Sequence, residues 1–328
     1  MFKSRYVILL ILSLLVVSFA VACGGGAAAP TATPEATVAA TAVTGPTSAS
    51  AAPPTASGPL ADALDKSKGS TNYRLNVTVT GEGNFGGASI PTPTGVTSTT
   101  PISLVNLKGE TSGPNVHFTI QGIMTQALGM TADQVFEVIA DNGTIYIKGP
   151  VPAFGVTDDK WYIAPPEASQ LAQPPLTPMS FLNQFGQSGV NPSDFTQSGN
   201  ESLDGKSCDI YGADKSAVVN AFNRLGSQTG ATQEDLDSIE AAEFKFWVCD
   251  DGYIHQIRMY IQGHDKTDTT QKGSFEILMK ISDYDAAIAI TPPTDAIPMP
   301  TQPPPPTDQA VPPPTDAGAP ETAPTPTP

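Results

Sequence analysis

Between Leu60 and Ile290 the apolar positions recur mostly at every second residue, the spacing of strands with one buried face. Tyr73–Thr80 sets the pattern: Tyr73, Leu75, Val77 and Val79 fall on one side, Arg74, Asn76, Thr78 and Thr80 on the other. Strand character continues in Ile102–Thr111, in Val116–Ile123 (Val116, Phe118 and Ile120 on one face), in Gln134–Ala140, Thr144–Gly149 and Lys160–Ile163, and in Ser207–Tyr211. Glu243–Cys249 and Tyr253–Gly263 read as a hairpin around Asp250-Asp251-Gly252, with Tyr253, His255, Ile257, Met259 and Ile261 on one side of the return strand. Gly273–Asp283 places Phe275, Ile277, Met279 and Ile281 together, and Ile288–Ile290 is expected to close the sheet. Thr144–Gly149 follows Gln134–Ala140 through Asp141-Asn142-Gly143, a hairpin turn by composition.

Helical spacing is rarer. Leu60–Ser67 carries apolar residues four apart and stops at Gly69. Leu176–Gly186 places Met179, Leu182 and Phe185 on one stripe. Asp214–Leu225 is the clearest helix, with Asp214 as cap, Val218, Phe222 and Leu225 as stripe and Gly226 as terminator. A weaker acidic helix is expected within Thr232–Glu240. The reading is α+β: about ten strands in meander order with three or four helices.

The domain so defined, residues 60–292, is long enough for one sizeable core. Within it, Gly81–Pro101 reads as a long loop, either a lid or an insertion. On either side the pattern vanishes. After Cys23, residues 24–59 are Ala, Thr, Pro, Ser and Gly apart from Val38 and Val43, with Glu35 as their single charge. Residues 293–328 are Pro/Thr-rich with four acids and no base. Neither segment has enough apolar surface to offset its ordering entropy, so both are expected to be disordered. As a flexible coil the first would span roughly 30–35 Å.

Charge and chemistry narrow the function further. The chain holds 16 basic and 32 acidic residues, a net charge of −16. That balance argues against nucleic acid and against a polybasic grip on anionic lipid. Of the histidines, His117 and His255 lie in alternating strands and His264 in a polar turn. There is no HExxH, no His/Cys cluster, no calcium loop and no phosphate-cradling Gly loop. Gly186-Gln187-Ser188-Gly189 lacks the spacing of a nucleophile elbow, and the turn itself explains Asp250 and Asp251. No catalytic residue, metal ligand or cofactor is assigned, and the expectation is a protein that is not an enzyme.

The N-terminus is a secretory signal: Lys3 and Arg5, an apolar run from Tyr6 to Ala22, then small residues. Ala20-Val21-Ala22-Cys23 resembles the lipobox of bacterial lipoproteins, with Ala where Leu is commoner. The resemblance implies cleavage of residues 1–22, acylation of Cys23 and attachment to the outer face of the cell membrane. The alternative is an uncleaved membrane helix, for which 17 apolar residues are marginal. Gly24 in place of Asp resembles lipoproteins that are not retained at the inner membrane. Losing Lys3 and Arg5 leaves 14 bases against 32 acids, so the mature chain is near −18. With Cys23 assigned to lipid, Cys208 and Cys249 are left as one pair, a disulfide in an exported chain or two buried thiols.

Five of the seven methionines lie in the domain, and Met suits an adaptable apolar cavity, although ordinary core explains each one singly. Four stretches together resemble the LppX/LprG lipoproteins of the LolA-like group. They are Asp141–Lys148 followed by Lys160-Trp161-Tyr162, Leu203–Tyr211, Phe246–Gly252 with Arg258, and Asp283-Tyr284 to Pro292-Pro293. The long Gly81–Pro101 segment and the Pro-rich tail depart from that family. The resemblance implies a curved antiparallel half-barrel, helices on its concave side, and an apolar cavity that carries lipid or acylated ligands. Leu75, Val77, Val79, Phe118, Ile120, Ile257, Met259, Ile261, Ile277 and Met279 are the candidate lining. A non-carrier interaction module, with a filled core and a protein partner, is the second expectation.

Overall fold

A computed structural model describes residues 58–85, 88–89, 101–165, 178, 181, 191–220, 223, 233–265 and 268–300. Cys23 and the two expected tethers lie outside these residues, except for Gly58, Pro59 and 293–300. So do most of Leu176–Gly186, including Met179, Leu182 and Phe185, and residues 221, 222 and 224–226 of the Asp214 helix.

In chain order the strands are β1 (Asn72–Phe85), β2 (Ala88–Ser89), β3 (Ile102–Ser112), β4 (Asn115–Gln121), β5 (Phe136–Asp141), β6 (Thr144–Lys148), β7 (Trp161–Ile163), β8 (Thr196–Leu203), β9 (Lys206–Ala213), β10 (Ile239–Cys249), β11 (Ile254–His264), β12 (Lys272–Ser282) and β13 (Ile297–Pro298). Helix α1 spans Pro59–Gly69, α2 spans Gln233–Asp237, and residues 215–220 are helical. Short 3-10 turns occur at Ile123–Leu128, Pro152–Phe154 and Pro192–Asp194.

All thirteen strands belong to one open sheet, in the order β13-β7-β6-β5-β4-β3-β1-β12-β11-β10-β9-β8, with β2 paired to the end of β1. Every pairing is antiparallel except that of β13 with β7. The expected single meander is therefore two, β3–β7 and β8–β12, laid on either side of β1. Leu75 stands opposite Ile281 and Val79 opposite Ile277, so the last long strand returns to the first.

Local chemistry explains where the sequence expectations hold. Tyr73, Leu75, Val77 and Val79 are all buried, as their alternation requires. At the β5–β6 turn Asn142 and Gly143 take φ of 49° and 83°, and at the β8–β9 turn Asp204 and Gly205 take 50° and 85°. Both pairs fit the two positive-φ positions of a hairpin whose twist matches its strands. Asp214 caps the helix after it, its Oδ1 accepting from the Ala217 N–H at 3.0 Å.

Other expectations are corrected. Gly81–Phe85 is not loop but the continuation of β1, with Gly81 opposite Phe275 and Gly83 opposite Gly273. β8 went unpredicted because Thr196–Leu203 has no apolar alternation and is exposed nearly throughout. Ile239 and Glu240 belong to β10, which shortens the acidic helix to Gln233–Asp237. In β11 a register shift opposite Trp247 and Val248 puts Ile254, not Tyr253 or His255, on the core side. Ile288–Ile290 forms no strand, although Ile288 is buried. Pro292 and Pro293 lack N–H donors, and the chain pairs only beyond them, where Ile297 and Pro298 lie parallel to Tyr162 and Ile163. The sheet domain thus runs past residue 292, and its strands exceed the expected ten.

Candidate functional site

The ten candidate lining residues share one face of the sheet, on β1, β4, β11 and β12. Their backbone partners join them into one row: Tyr211, Phe246, Ile257, Met279, Val77, Leu107, Ile120 and Phe136 lie side by side across eight strands. Every side chain in this row is buried. Of the ten candidates, Met259 alone is only partly covered. Above this face α1 lies on β10 and β11, α2 on β10, and the Ile123–Leu128 turn on β3 and β4. Phe181 and Phe195 pack on Phe244, with ring centroids 5.8 and 5.6 Å away, and Phe195 also meets Phe246 at 5.2 Å. Leu107, Phe136, Phe244 and Phe246 belong to the face as fully as the ten that were named. The alternation within Glu243–Cys249 carried that signal for the two β10 phenylalanines.

On the opposite face the sheet is charged. Arg74 bridges Glu110 at 3.2 Å and Asp283 at 2.6 Å, and His117 joins Glu110 to Glu137 at 3.3 and 2.8 Å. Arg258 does the same between Glu276 and Glu243, at 2.6 and 3.2 Å. At the β9–β10 end this polar cover gives way to a small apolar cluster around the Cys208–Cys249 disulfide. The two cysteines stand directly opposite each other in the ladder, with Cα atoms 3.8 Å apart. Trp247, Leu203 and Ile210 pack on the bridge. The buried Nε1 of Trp247 has no hydrogen-bond acceptor among the described residues.

The turn after Cys249 organises a polar hub at the end of α1. Asp251 accepts from Lys206 at 2.8 Å and lies 3.0 Å from His255 Nε2, while its carbonyl accepts from Lys66 at 2.6 Å. Burial pushes the Asp251 carboxyl up, yet Lys206, the Tyr253 N–H and His255 together hold it below the usual carboxylate range. The Tyr253 ring stacks on Tyr284 at 4.3 Å and sits under the Lys66 ammonium at 4.2 Å. Tyr253 and Ser70 both donate to Asp285, which lowers its pKa as well. Tyr284 donates to the Ile254 carbonyl at 2.7 Å, and burial raises its phenol well above the ordinary value. Asp251, which the sequence explains by the turn, is in contact with His255, within a network whose members hold the hairpin to α1.

Beside this hub, between α1 and β9, lies a cleft of about 440 Å³. Pro59, Asp62, Ala63 and Lys66 form one wall; Ser207, Asp209 and Tyr211 form the other. Val248 and Asp250 lie at its end, and its lining differs from the ten candidate residues. Among the described residues no group of three His, Cys, Asp or Glu side chains is placed to hold a metal ion.

No protein-family model matches the chain, and no curated protein does either. Among solved structures, LprF from Mycobacterium bovis is similar over 72% of this chain and 95% of its own, at 16% identity and a TM-score of 0.39. The Mycobacterium tuberculosis lipoprotein LppX is similar over 71% of this chain and 96% of its own, at 14% identity and a TM-score of 0.33.

Proposed function

We propose that the chain is a membrane-anchored extracytoplasmic lipoprotein that binds a hydrophobic, acyl-bearing ligand against the apolar face of its sheet. The observation that carries this reading is the unbroken apolar row from Tyr211 to Phe136, eight strands wide, over which the described residues place only short helices and turns. A face of that breadth is more than one small core needs, and curling it into a half-barrel makes a pocket of the kind that takes lipid. The lipobox-like Ala20-Val21-Ala22-Cys23 supplies the anchor through acyl chains on Cys23, and residues 24–59 the leash. The Cys208–Cys249 disulfide suits an oxidising, exported setting. The role is binding rather than catalysis.

Native mass spectrometry of the chain from residue 58 onward tests the reading. Co-purifying lipid, lost when Val77 or Met279 is replaced by Asp in variants that still fold, is the expected result. A protein that is free of lipid when purified under gentle conditions overturns it. One observation favours a second reading, an interaction module with a filled core. The 440 Å³ cleft is lined by polar and apolar groups together and by none of the ten candidate residues. In that case crosslinking in cells recovers a protein partner and no lipid.

A further inference from the structure

We propose that the chain's own proline-rich tail docks, through Pro303–Pro306 in polyproline form, on an exposed aromatic patch at the outer face of β6 and β7. The inference goes beyond the lipid reading and does not rest on it, since that reading uses the other face of the sheet.

The patch departs from the ion-paired surface beside it. Ile145, Ile147, Tyr162 and Ala164 belong to the core, so strand alternation sends Tyr146, Lys148, Trp161 and Ile163 to the outer face. Tyr146 stands opposite Ile163 and Lys148 opposite Trp161, with the Lys148 ammonium 5.8 Å from the centre of the Trp161 ring. Among the described residues the large apolar side chains left exposed are Val135, Ile163 and Ile297, at 44%, 37% and 42%. All three lie at this end of the sheet, next to β5, in β7 and in β13. Such a concentration marks a contact surface.

The occupant follows from where the chain goes next. β13 lays Pro298 beside Ile163, and the Met299 N–H donates to the Ile163 carbonyl at 3.1 Å. Residues 301–328 therefore start beside the patch, and after Thr301-Gln302 they open with four prolines, Pro303–Pro306. A proline run is preset for polyproline II and has no N–H groups to desolvate, and aromatic-lined surfaces are where such helices dock. At a rise of about 3.1 Å per residue the four prolines cover about 9 Å, and β7 is about 7 Å long. One reversal at Thr301-Gln302 then lays the run from Ile163 back to Trp161. Charge agrees with this pairing. Residues 301–328 carry Asp308, Asp316 and Glu321 and no base, while the patch carries Lys148, whose bridge to Asp159 is a loose 4.0 Å. So short a connection gives an effective concentration in the millimolar range, which keeps even a weak contact formed.

Acrylamide quenching of tryptophan fluorescence tests the proposal, on the chain from residue 24 onward, which keeps the whole sheet and the tail and needs no detergent. The chain has two tryptophans and Trp247 is only 5% exposed, so the quenching reports Trp161. Pro304→Gly and Pro305→Gly together should raise the quenching constant about twofold, as one face of the ring is uncovered. A peptide of residues 301–316, added to that variant, should restore the original value saturably. Circular dichroism confirms that the variant keeps its sheet. Equal quenching constants with and without the two substitutions overturn the proposal. So does protection that falls on dilution, which puts the tail on a second copy. Protection that requires added phosphatidylcholine vesicles, and is the same in both chains, overturns it in favour of a membrane contact.

Discussion

Phe246 shows how much one side chain can hold in place here. It is fully buried, its ring tilted against those of Phe244 and Phe195 with centroids 4.8 and 5.2 Å away, and it is flanked in the ladder by Tyr211 and Ile257. Truncating it removes an aromatic ring from close packing on several sides. Phe246→Ala should therefore cost about 3–5 kcal/mol, read as a shift of the urea midpoint at unchanged slope. A loss below about 1 kcal/mol would mean that the neighbouring rings collapse into the space, or that a ligand fills it. Gly122 makes the converse point about space. Its φ is 129°, and a β-carbon there would come within 2.5 Å of the Leu104 carbonyl oxygen, so only glycine turns the chain from β4 into the following 3-10 turn. Much at this scale is legible in the sequence. Alternation alone places Val77, Ile257 and Met279 on the buried face. It misplaces Tyr253 and His255, because the extra residue opposite Trp247 and Val248 inverts the faces, and a bulge leaves no mark in a hydropathy pattern.

Among the elements, β9 and β10 are joined twice, by their backbone ladder and by the Cys208–Cys249 bridge. The bridge closes a loop with a sequence separation of 41 that contains the capped helix at 215–220 and α2. Loop-closure entropy assigns such a link about 4 kcal/mol. Reduction should lower the melting temperature by roughly 8–16 °C. It should also raise the fluorescence of Trp247, which packs on the bridge. If reduction leaves the melting temperature unchanged, the strands alone set the local stability. Elements without periodic apolar residues escaped the sequence for a physical reason. β8 is held by backbone hydrogen bonds to β9 and by the Asp204-Gly205 turn, and it buries almost nothing. β13 is two residues long, and its pairing depends on where the chain happens to pass. The cleft was equally invisible: Asp62 and Asp209 are 147 positions apart, and nothing in either local pattern marks them as neighbours.

For the whole molecule, pH sets two effects against each other. Asp251 and Asp285 both have folded-state pKa values below their ordinary ones, as do Asp158, Glu240 and Glu243. A depressed carboxyl contributes stability that is present above its unfolded pKa, near 4, and is lost as pH falls through its folded pKa. Against this, a chain carrying 16 net negative charges gains from the first protonations, which relieve self-repulsion. Stability should rise slightly from pH 7 to about 5, then fall below about 4 as the hub between α1 and the β10–β11 turn loses its ion pairs. Thermal melts across that range test it, and a melting temperature still rising at pH 3 would remove the hub from the account.

The position of β1 at the centre of the sheet governs when the fold can exist at all. One edge of β1 is satisfied early by β3, but the other waits for β12, about two hundred positions later, as in the pairing of Val77 with Met279. Contacts of such separation are slow to form, because the intervening chain must be brought to order first. If the chain is exported N-terminus first, as proposed, the second edge of β1 stays unpaired until residue 282 arrives. Every truncation upstream of β12 therefore leaves β1 as an open edge at the centre of the apolar face.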